Sequence, residues 1–79
     1  MMTTATFGRV SLDSTTLAAA AYDACSETLE LDFHDGTRYM YSSVARGLYH
    51  DLLHATSKGS FFNRHIRDHF PCNKLRAEN

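Results

Sequence analysis

The chain is short and nearly neutral: 79 residues, eight Lys and Arg against nine Asp and Glu, and a formal net charge of −1 with His uncharged. A chain of this length makes one domain and buries only about 60–65% of its unfolded surface, so its margin of stability is thin. The charge balance speaks against bulk attraction to nucleic acid, which needs an excess of Lys and Arg, but it leaves room for a local basic patch.

In chain order, residues 1–10 are Thr-rich and without period. They read as a flexible arm, with brief pairing around Phe7–Val10 as a short extra N-terminal strand. Leu17–Tyr22 contains Ala18–Ala21, which has helix propensity, yet the segment is short and runs into Tyr22-Asp23 and a polar turn over 24–27. The residues alone leave helix and strand both open there.

Leu29–Tyr41 is a β-hairpin. Leu29, Leu31 and Phe33 alternate with Glu30 and Asp32, Tyr39 and Tyr41 alternate with Arg38 and Met40, and Asp35-Gly36 marks the turn. A two-residue loop would set Asp32 opposite Tyr39. A three-residue loop, His34-Asp35-Gly36 with Gly36 in a bulge, pairs Phe33 with Thr37, Leu31 with Tyr39 and Leu29 with Tyr41, and sets Asp32 against Arg38. The second register is the expected one, because it collects the apolar and aromatic side chains on one face and opposite charges on the other. Tyr39 and Tyr41 then read as core with wet hydroxyls, or as an aromatic platform for bases.

Ser42-Ser43 offers an N-cap for a helix whose stripe is Val44, Leu48 and Leu52, with Ala55 close by. Thr56–Gly59 is a break. Ser60 is expected to cap a second short helix with Phe62, Ile66 and Phe70 inward, ended by Pro71 because the residue before Pro avoids the α region. Residues 72–79 are polar apart from Leu75, which is expected to pin the tail. Residues 76–79 are expected to fray.

Two His pairs, His50/His54 and His65/His69, have the i, i+4 spacing of a chelating pair, but no HExxH or comparable signature supplies a third ligand, so no metal is expected. Cys25 and Cys72 stand outside any CxxC or zinc-finger spacing and read as free thiols of a reducing compartment. No secretory h-region and no bilayer-length apolar run is visible, so the expected setting is cytoplasmic, with no membrane partner. Lys58, Arg64, Arg67 and Lys74 form the one basic cluster, with Arg38 and Arg46 as neighbours, and Phe61 lies off the inner stripe as a candidate exposed aromatic beside them.

Taken together, Tyr22-Asp23, Leu29-x-Leu31-x-Phe33, Gly36, Tyr39-x-Tyr41, Val44, Tyr49, Ala55, Ser57-Lys58-Gly59, Phe62-Asn63, Ile66-Arg67 and Phe70-Pro71 resemble the KTSC domain. That family is named for a carboxy-terminal segment of some lysyl-tRNA synthetases and also occurs as free-standing small proteins. The resemblance covers about residues 11–75. Ala45 stands where the family commonly has Pro, and Met40 where a basic residue is common. The resemblance implies an α+β fold: a three-stranded antiparallel meander, with Leu17–Tyr22 as its first strand, packed against two short C-terminal helices. It marks Tyr39, Tyr41, Ser57, Lys58, Gly59, Asn63 and Arg67 as the surface to carry over.

The expected function is a non-enzymatic binding module without cofactor, a monomer or weak homodimer, acting through contacts with a protein or nucleoprotein complex. Small phage or mobile-element inhibitors of the anti-CRISPR type have this profile, with Arg38, Phe61, Arg64 and Arg67 as anchors. The alternative is an RNA- or DNA-binding domain that uses Lys58, Arg64, Arg67 and the tyrosines.

Overall fold

The computed structural model describes residues 9–76. Five antiparallel strands lie side by side in chain order: β1 Arg9–Ser11, β2 Leu17–Asp23, β3 Thr28–Phe33, β4 Arg38–Tyr41 and β5 Cys72–Arg76. Between β4 and β5 the chain forms α1 Arg46–His54 and α2 Lys58–Phe61, and α2 runs on without a break into a π-helical segment, Phe62–Ile66. No helix among the described residues is long and apolar enough to cross a membrane.

The hairpin adopts the expected three-residue register. Leu29 pairs with Tyr41, Leu31 with Tyr39 and Asp32 with Arg38. The Phe33 N–H donates to the Thr37 carbonyl at 2.8 Å, and Gly36 sits at φ 94°, where a Cβ would clash. The register sorts the sheet into two faces. Inward, Leu29, Leu31 and Tyr41 join Ala20, Leu52, Phe62 and Ile66 in one buried cluster, with Tyr39 and Leu48 packed against it.

Outward lies a charged face. Arg9 stands opposite Ala21, yet its guanidinium bonds Glu30 at 2.6 Å and Asp32 at 3.0 Å on the next strand but one. Its stem therefore crosses β2 over alanines, and Ala21 is fully buried although it faces away from the helices. This accounts for Ala19 and Ala21, which pair with Asp32 and Glu30 on that outer face: small side chains are what a flat crossing requires.

Several expectations are corrected. The sheet has five strands, not three. β1 is three exposed residues long, and Cys72–Leu75 of β5 are exposed, so neither edge strand carries the alternation that marks a half-buried strand. Of the arm expected over residues 1–10, Arg9 and Val10 belong to β1, and residues 1–8 lie outside the described residues. Of the tail expected to fray over 76–79, Arg76 belongs to β5, and 77–79 lie outside the described residues. Leu75 is 47% exposed and pins nothing.

The caps also differ. Ser43 takes a left-handed φ of 64° and turns the chain, Val44 is buried ahead of the helix, and Ala45 is the N-cap of α1 with no side-chain bond. Ser57, not Ser60, caps α2: its Oγ accepts from the Ser60 N–H at 3.3 Å. The second helix ends at Ile66, ahead of Pro71. Asp68 at φ 64° reverses the chain there.

Candidate functional site

The inner face of the sheet is wider than the helices that cover it, and the uncovered part is a groove. Phe33, Tyr39 and Tyr41 from the sheet, Phe62 and Asn63 from the π-helical segment, Arg67, Asp68 and Phe70 from the turn after it, Cys72 from β5 and Thr16 line an open hollow of about 700 Å³. The rings meet edge to face: Phe33 with Tyr39 at 5.8 Å, Phe33 with Phe62 at 5.3 Å and Tyr41 with Phe62 at 6.0 Å. Such packing fixes ring orientations beyond what burial alone would do.

The π-helical segment positions the polar rim. Its extra residue per turn is seen in the Arg67 N–H, which donates to the Phe62 carbonyl at 2.8 Å, five residues back. Single π turns of this kind are often found at functional sites. The arrangement lets the Arg67 guanidinium donate to the Asn63 Oδ1 at 3.4 Å, with the Asp68 carboxylate 4.0 Å away. Arg67 remains 64% exposed, so its charge is available at the mouth of the groove.

A second hollow of about 410 Å³ adjoins the first and has an almost wholly polar wall. It is lined by Asp13, Ser14, Thr15, Thr16, Thr56, Ser57, Lys58, Gly59, Ser60 and Asn63. Thr16 and Asn63 line both hollows, so the two are neighbouring compartments of one surface. The Lys58 ammonium donates to the Ala55 carbonyl at 3.1 Å, where the carbonyl end of α1 favours a cation. The two segments that form the wall approach closely at Gly59, where a Cβ would lie 3.0 Å from the Thr16 Oγ1.

The expected site residues divide. Tyr39, Tyr41, Asn63 and Arg67 line the groove, and Lys58 and Asn63 line the polar hollow. Tyr41, at 4% exposure, is a core residue too deep to offer a ring face. Burial raises its phenol pKa well above the ordinary tyrosine value. Phe33, Tyr39 and Phe70 are half-buried and are the rings of the groove that a ligand can reach.

Arg38 is on the opposite face of the sheet, where its Nε donates to Asp32 at 2.6 Å. Phe61, expected to be exposed, is half-buried against the core with its ring 4.6 Å from His65. Arg64 is exposed but lines neither hollow. Residues 13–16, Phe70 and Cys72 were not legible as site residues. The first are an aperiodic polar loop, and the others enter the groove only through the chain reversal at Asp68.

The His pairs face solvent: the His50 and His54 rings lie 4.3 Å apart, and His54 Nδ1 is 2.9 Å from the His50 carbonyl. Among the described residues, no three His, Cys, Asp or Glu side chains form a metal-ligand cluster. Cys25 and Cys72 are free, exposed thiols.

An antiparallel sheet with both helices between its last two strands, and an aromatic groove beside them, defines a small α+β domain of a recognisable kind. The chain belongs to the KTSC domain family: the model of that family matches residues 13–70. A crystal structure of a KTSC domain protein from Yersinia pestis superposes with a TM-score of 0.84 at 29% identity, covering 90% of this chain and all of that one. A protein of Tsukamurella paurometabola is 36% identical over 59 residues, which are 75% of this chain and 88% of that protein. An uncharacterized protein of Stutzerimonas stutzeri is 38% identical over 56 residues, 71% of this chain and 79% of its own length. The family match ends at Phe70, just short of β5.

Proposed function

We propose that this free-standing KTSC protein is a non-enzymatic binding module, and that its groove takes single-stranded nucleic acid. The observation that carries the reading is the meeting of Tyr39, Phe70, Asn63 and Arg67 at one groove. Half-buried rings suit the π-face of any base, an amide suits base edges, and an exposed guanidinium suits a base edge or the backbone.

The reading through protein contacts is weakened at its anchors. Arg38 is turned to the far face and paired with Asp32, and Phe61 is packed inward, so the four residues expected to act together do not share a surface. One observation still favours a protein or nucleoprotein partner, including an inhibitor's target: the net charge of −1 offers little long-range attraction to a polyanion.

Fluorescence anisotropy with labelled eight-nucleotide single strands at low salt tests the proposal. Micromolar or tighter binding is expected. Arg67→Ala and Asn63→Ala should each weaken it by about five- to thirtyfold, in the range of a charged or base-edge contact. Arg38→Ala should leave it unchanged. No binding at low salt would remove the nucleic-acid reading and leave the protein partner, to be sought by affinity capture with wild type against Arg64→Ala.

A further inference from the structure

The polar hollow beside the groove differs from a phosphate cradle. Lys58 is its one cationic side chain, its ammonium is already engaged by the Ala55 carbonyl, and Asp13 sets a carboxylate in the same wall. An anion would meet about as much repulsion as attraction there. The rest of the wall is hydroxyl and amide: Thr15, Thr16, Thr56 and Ser60 carry hydroxyls that both donate and accept, and the Asn63 amide keeps its NH2 donors while its Oδ1 accepts from Arg67. Two other hydroxyls of the wall are internally committed. The Ser14 Oγ accepts from the Thr16 and Leu17 N–H groups, and the Ser57 Oγ accepts from the Ser60 N–H.

A wall of mixed donors and acceptors with one carboxylate suits a neutral group dense in hydroxyls. Sugar hydroxyls are such a group, since each can donate to a carboxylate and accept from a hydroxyl or amide. The position of the hollow adds the second part. It shares Thr16 and Asn63 with the aromatic groove, and in a nucleoside the base and sugar are joined by a single bond, so their sites must adjoin in this way.

Resting on the nucleic-acid reading of the groove, we infer that the hollow bounded by Asp13, Thr15, Thr16 and Asn63 takes the ribose of the nucleotide whose base lies in the groove. The 2′-hydroxyl is then read directly, and the protein selects RNA over DNA. That hydroxyl is the group by which a protein distinguishes the two.

The test compares one sequence as single-stranded RNA, DNA and 2′-O-methyl RNA, by anisotropy against the wild-type chain and the Asp13→Asn and Thr15→Val variants. The wild type should bind RNA about three- to tenfold tighter than DNA, the yield of one or two neutral hydrogen bonds. The methylated strand should fall to the DNA level. Either substitution should narrow the RNA-to-DNA ratio, which cancels the effect that loss of the Asp13 charge has on both strands alike, and unaltered circular dichroism spectra confirm that the variants are folded. Equal binding of RNA and DNA by the wild type would overturn the ribose site and leave the groove's nucleic-acid reading standing. Binding of neither strand would overturn both.

Discussion

Tyr41 illustrates how one side chain ties the site to stability. It closes the floor of the groove between Tyr39 and Phe62, and burial raises its phenol pKa, as it does for Tyr49 in α1. An unfolded tyrosine ionises near about pH 10. Above that pH the folded chain holds protons that the unfolded chain releases, so stability is fully present below about pH 10 and declines as the pH climbs through the raised folded-state values. Tyr41→Phe removes one such group, and the midpoint of alkaline unfolding, followed by far-ultraviolet circular dichroism, should move to higher pH. An unmoved midpoint would mean that another tyrosine controls the alkaline limit.

Two glycines separate helix formation from site construction at the scale of the element. Gly47 lies in the first turn of α1 with nothing within 4 Å of a Cβ placed on it, so Gly47→Ala should stabilise the domain by about 0.5–1 kcal/mol, the difference in helix propensity. Gly59 in α2 faces the opposite outcome. A methyl there meets the Thr16 side chain, whose own backbone carbonyl accepts from the His34 N–H at 3.3 Å. Gly59→Ala should therefore forfeit the propensity gain and shift the amide resonances of residues 13–16 and 63, the wall shared by both hollows. Thermal melts of the two variants, paired with heteronuclear correlation spectra, check both statements. Matching gains in melting temperature would show that the Thr16 contact yields freely.

The whole molecule has one core and little reserve. Leu52 is the completely buried side chain of α1, in one cluster with Leu29, Leu31 and Ile66. Leu52→Ala should cost about 2–5 kcal/mol, against a total of roughly 4–12 kcal/mol for a domain of this length. Urea denaturation should show the midpoint falling by about a sixth or more, and a chain retaining its wild-type midpoint would mean that the core collapses around the missing atoms. Recognition at this scale is also bounded. With Arg67 as the exposed cation of the groove and Lys58 engaged by the Ala55 carbonyl, few phosphates are neutralised, and affinity for a single strand should fall with salt at a slope of only about −0.7 for each phosphate contact.

The alternation from Leu29 to Tyr41, with the Asp35-Gly36 turn, determined the hairpin, its register and which face is inward, because period-two patterning and loop length act within a dozen residues. The inner stripes Val44/Leu48/Leu52 and Phe62/Ile66/Phe70 likewise marked two helices through spacing, although Val44 precedes α1 and Phe70 follows the chain reversal at Asp68. The edge strands escaped the same logic: β1 is three residues long, and the side chains Cys72–Leu75 of β5 are exposed on both faces, so pairing with a neighbour, rather than burial, makes them strands. The site lay further from local rules still. The groove exists because the chain reverses at Asp68 and returns beside β4, and the polar hollow exists because the loop over 13–16 comes against the start of α2. These are contacts between segments roughly thirty to forty-five residues apart, and only the packed chain decides which of its polar residues face one another.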